Sequence, residues 1–159
     1  MENETLRNLR ISRALHLFRY AKAVAEEIGE RKAWRILENC ITDIALEWYM
    51  KNKSQLVQKK PLLEHAFDVY YFRHLNLKPK DVKIVEKSKN RVVCRWRNFC
   101  EVLEACRILK LDTRIVCKNV YEKPGKMLLK QISSRLNFRR NYSKIRPYTD
   151  YCEEIIEIT

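Results

Sequence analysis

Glycine is nearly missing from this 159-residue chain, which contains only Gly29 and Gly125. Loops that cradle phosphates bring several glycines close together so that backbone amides can approach the anion. A P-loop and a dinucleotide-binding fingerprint are therefore excluded. Long uncharged runs are missing too, since no stretch free of Asp, Glu, Lys and Arg exceeds five residues. A membrane span needs about 20 apolar residues and a signal-peptide core about 7–15, so neither is expected. The start, Met1-Glu2-Asn3-Glu4, carries the wrong charge for export. The expected location is the cytoplasm, without membrane contact. No Cys-x-x-Cys pair occurs among the six cysteines, Cys40, Cys94, Cys100, Cys106, Cys117 and Cys152. In a reducing compartment they are expected as thiols, and the missing pair argues against a redox motif and a zinc ribbon.

What is present fits one domain over 1–159. Apolar residues make up 46% of the chain, enough to bury a core. The net charge of +13 is unevenly placed. Residues 1–72 carry 12 basic and 10 acidic residues, residues 107–146 carry 12 basic and 2 acidic ones, and the last thirteen residues have four acids and no base.

The apolar spacing divides the domain into a helical half (1–76) and a second half (77–159). Ile11, Ala14, Phe18, Ala21, Ala25 and Ile28 lie on one face of a helix over 5–28, with Gly29 as its stop. Ala33, Leu37, Cys40, Ile41, Ile44 and Trp48 form the stripe of a second helix over 31–51, and Cys40 is expected in the core. The two helices are expected to pack as an antiparallel pair, and they offer a surface for a homodimer. Pro61 opens a third helix, to about 75. The period then changes, and Val82–Val85 and Val92–Trp96 flank the turn-like Ser88-Lys89-Asn90 as a β-hairpin. Asn98 is a candidate cap for a helix over 99–110, either Asp112 or Thr113 for one over 113–121, and Pro124-Gly125 is expected to break the chain. Leu136 and Phe138 alternate with basic residues as in a strand, and 151–158 reads as a final strand with Ile156 and Ile158 on one face. This order predicts an α+β fold, with N-terminal helices packed on a small antiparallel sheet.

The motifs Cys94-Arg95-Trp96, Glu104-Ala105-Cys106, Asp112-Thr113-Arg114-Ile115-Val116-Cys117, Arg146-Pro147-Tyr148 and Asp150-Tyr151-Cys152-Glu153-Glu154 resemble those of the L-2-amino-thiazoline-4-carboxylic acid hydrolase-like family. The helices bearing Glu26-Glu27-Ile28-Gly29 are compatible with that family's helical half. The resemblance implies a small-molecule protein that opens a small cyclic C–N/C–S substrate with water. The vinyl-reductase-type ligand-sensing domain is a second relative in layout, set apart by its richness in glycine.

Candidate site residues follow from the chemistry. Cys117 has Lys118 beside it and Arg114 one helical turn back, a setting that favours a thiolate nucleophile. Asp150, Glu153 and Glu154 are candidates to activate water. Arg114, Arg139 and Arg146 could hold an acidic ligand group through their planar forks, with Cys94 and Cys152 lining the same site. Each has a plainer role: cysteines serve as small core hydrophobes, and a basic strand near 139 can pair with an acidic strand near 153. The cysteine spacings are not those of a zinc module, so no metal is assigned, and no motif identifies a cofactor. Arg135, Arg139, Arg140, Lys144 and Arg146, interleaved with Phe138, Tyr142 and Tyr148, present the alternative of a non-catalytic module for nucleic acid, using segment 135–146.

Overall fold

The computed structural model describes residues 4–159 and has the expected α+β architecture. The helices α1 (Glu4–Ile28) and α2 (Glu30–Asn52) are joined by the single residue Gly29. A short α3 (Leu62–Phe67) widens into a π-helical segment over Asp68–His74. The hairpin strands β1 (Val82–Lys87) and β2 (Arg91–Trp96) follow, and then α4 (Glu101–Leu109). Next, α5 (Thr113–Val116), a second π-helical segment (Cys117–Tyr121) and α6 (Glu122–Ile132) run on from one another. The chain closes with β3 (Leu136–Asn141) and β4 (Cys152–Ile158). The four strands form one antiparallel sheet in the order β1-β2-β4-β3.

Strand alternation sorts the sheet into two faces. Val92 and Cys94 of β2, Leu136 and Phe138 of β3, and Ile156 of β4 are buried against Tyr70 and Tyr71 of the first π-helical segment and Leu128 and Leu129 of α6. A second apolar cluster ties α1 to α2, α4 and α5, with Phe18 against Trp34 at 6.1 Å between ring centroids. Among the described residues, no helix shares a core cluster with the opposite face of the sheet. Val93 and Ile155 are buried there nonetheless, flanked by Arg91, Arg95 and Arg139, whose alkyl stems can cover apolar surface.

Gly29 sits at φ 88° and ψ 144°, backbone that only glycine adopts without strain. Nothing lies within 4 Å of where its Cβ would be, so conformation alone requires glycine there. Gly29→Ala is expected to lower the stability in urea denaturation by roughly 1–3 kcal/mol. A loss below a few tenths would show that the α1–α2 joint relaxes freely.

Three local expectations are corrected. Cys40 is exposed rather than in the core, because α2 buries the face of Ala33, Trp34, Leu37 and Ala45. Pro124-Gly125 does not break the chain: both lie in the first turn of α6, directly after the second π-helical segment. Gly125 is there for space, since a Cβ would lie 2.8 Å from the Tyr70 hydroxyl and 3.1 Å from the Phe138 ring. Asn98 does not cap α4. Its backbone and side-chain oxygens instead accept hydrogen bonds from Arg146, at 2.6 and 3.5 Å. Asp112, by contrast, caps α5 by accepting from the Arg114 amide at 2.8 Å.

Candidate functional site

A cavity of about 400 Å³ opens between the helices and one end of the sheet. Its volume lies in the range of small-molecule sites. Both π-helical segments contribute to its wall, Tyr70 and His74 from the first, Cys117 and Tyr121 from the second. Wide helical turns of this kind recur at functional sites because the extra residue re-aims side chains that a regular helix would carry past. Apolar wall comes from Ile41, Ala45, Leu77 and Val102, and Ile44, half exposed, stands at the rim. At the mouth Arg10 donates to Glu101 at 2.8 Å, and Arg7 and Arg10 both stack on the Phe99 ring.

Two residues of this wall each carry a buried polar atom that has no hydrogen-bond partner among the described residues: Nδ1 of His74 and Nε1 of Trp96. Burying a polar group unpaired costs free energy, so such atoms mark a place where something else completes the bonding. Burial lowers the pKa of His74 to about 4, which leaves a neutral imidazole near pH 7.

Arg140 supplies a cation to the cavity floor. Its Nε donates to Oε1 of Glu154 at 2.7 Å, and Oε2 of the same carboxylate accepts from the Tyr71 hydroxyl at 2.9 Å. Glu154 is fully buried and the Arg140 side chain is 7% exposed, so this is an internal ion pair under the cavity. A neighbouring-strand salt bridge was the plainer expectation for these strands, and it is what their alternation builds.

The residues singled out by the sequence are not brought to one place. Cys117 lines the cavity, but burial raises its pKa to about 12 despite the nearby Arg140, so it is a thiol at neutral pH. Cys94 faces the core beside Glu154, and burial likewise raises its pKa. Cys152 is buried at the start of β4, opposite Trp96. Glu153 points to the uncovered face of the sheet, where it accepts from Arg95 at 2.8 Å, Asn141 at 2.9 Å and Lys144 at 3.2 Å. Burial favours its neutral form, but those three donors outweigh it and hold the pKa below the ordinary value. Asp150 is exposed in the turn before β4. Arg114 is exposed, ion-paired with Asp112 and stacked on Tyr148, and Arg139 is exposed beside Glu157. Arg146 is buried behind the cavity wall.

Segment 135–146 is largely engaged internally: Arg140 and Arg146 are buried, while Arg139 and Lys144 face carboxylates of β4. Among the described residues no group of three or more His, Cys, Asp or Glu side chains is placed to hold a metal ion. Nor, among the described residues, is any helix long and apolar enough to cross a membrane.

Sequence reasoning missed His74 and Trp96 as cavity residues, and it named Arg140 only within the nucleic-acid alternative. For Arg140 a signal existed: Leu136 and Phe138 point inward, and alternation carries Arg140 to the same side. Comparison with known proteins adds no relative: no family model, no curated protein and no solved structure matches the chain.

Proposed function

We propose that the protein binds a small organic molecule in the cavity between its helices and sheet. The observation that carries this reading is that two residues lining one cavity, His74 and Trp96, each hold a buried polar atom without a partner among the described residues. Buried polar groups in native proteins are usually paired, so two in one lining favour a partner that the polypeptide does not supply. The resemblance to the aminothiazoline-carboxylate hydrolase-like family agrees with a small-molecule ligand. Binding is better supported than hydrolysis of a cyclic C–N/C–S substrate, since Cys117 is protonated and neither Asp150 nor Glu153 lines the cavity.

Native mass spectrometry of gently purified protein tests this, with Ile44→Trp as the comparison. Ile44 is half exposed at the cavity rim, so the larger side chain can plug the mouth without overpacking the core. The unmodified protein is expected to carry a small-molecule adduct that Ile44→Trp loses, while the two give the same far-UV circular dichroism and the parent melts higher by the stabilisation its ligand supplies. An adduct equally abundant on both proteins would place the ligand elsewhere.

A further inference from the structure

We infer that the ligand of this cavity is an organic anion, its charged group seated at the corner formed by Trp96, Asn98 and Cys100, where Arg146 lies behind the wall. The inference rests on the reading of the cavity as a ligand site and adds the class of molecule it takes.

Arg146 is 9% exposed, yet among the described residues it has no carboxylate partner. Arg140, the other arginine with a buried side chain, has Glu154 against it. The Arg146 guanidinium has only the two oxygens of Asn98 and the face of the Trp96 ring, 5.3 Å from the ring centroid. Its Nε is buried with no partner at all. A buried cation normally has a counter-charge, because neutral acceptors recover only part of its lost hydration. Trp96, Asn98 and Cys100 touch Arg146 or lie within its field, and all three line the cavity. The unpartnered Trp96 Nε1 belongs to the same corner and can only donate, so it calls for an acceptor. A missing negative charge and a missing acceptor thus coincide at one end of the cavity.

The test uses matched acids and amides, benzoate with benzamide and indole-3-acetate with indole-3-acetamide, titrated calorimetrically into the full chain. Each acid is expected to bind about tenfold more tightly than its amide, because an uncompensated cation close behind the wall attracts the charged ligand and not its neutral counterpart. Arg146→Met should abolish that preference and Arg146→Lys should keep part of it, since lysine retains the charge without the fork. Equal affinity of acid and amide would overturn the anion class and leave the cavity reading standing. A preference that survives in Arg146→Met would overturn Arg146 as its source. Binding of none of the four compounds would overturn both readings together.

Discussion

Glu154→Ala is expected to destabilise the protein by about 3–5 kcal/mol, the loss typical of a buried ion pair deprived of one partner. The size follows from what is left behind. Arg140 would keep its charge with its side chain 7% exposed, and the Tyr71 hydroxyl would lose its acceptor in the centre of the core. Against a typical total of about 5–15 kcal/mol, such a loss would leave the chain marginal at 37 °C. Chemical denaturation followed by tryptophan fluorescence gives the measurement. The double variant Arg140→Met, Glu154→Leu separates charge from packing: it should recover most of the loss, because two apolar side chains need no partner. A single variant within about 1 kcal/mol of the parent would mean that water reaches Arg140 freely.

The second large effect is expected at Phe18→Ala, a loss of about 3–5 kcal/mol for an aromatic ring removed from a closed core. Phe18 is wholly buried and stacks edge-on against Trp34, in the cluster that also holds Ala105, Cys106, Val116 and Val120. That cluster is the one that holds α1 over α4, and α1 carries Arg10 at the cavity mouth. The variant should therefore lose the native mass-spectrometric adduct as well as stability. Retention of the adduct at full occupancy would show that α1 is dispensable for the mouth.

How much of this was legible in the sequence depended on the range of the forces involved. The α1 stripe, the hairpin and the inward set of β4 were readable because helix and strand periods are local. Cys40 and Pro124 were misjudged because tertiary packing chooses among the faces of a broadly apolar helix and tolerates a proline in a first turn. Cross-strand pairing of basic and acidic segments was readable as a tendency, whereas the pair that is buried was not named. Arg139 was preferred over Arg140, yet on a strand one residue decides the face, and Phe138 marks the inner one. The cavity was least legible. Its wall is assembled from residues between Arg10 and Arg140, each unremarkable in its own segment. Two of its most informative atoms, on His74 and Trp96, stand out only because nothing bonds to them.

The strand order β1-β2-β4-β3 bears on how the chain is made. The last strand in chain order is an inner one, and β3 has no neighbour in the sheet except β4. On a ribosome releasing residues one by one, the hairpin and every helix emerge before the strand that unites them. Until β4 arrives, Arg140 and Tyr71 lack their carboxylate, and β2 and β3 have exposed edges facing one another. A chain interrupted before Cys152 would therefore present two unpaired strand edges, the feature that makes partly folded sheets prone to aggregate, rather than a nearly finished domain.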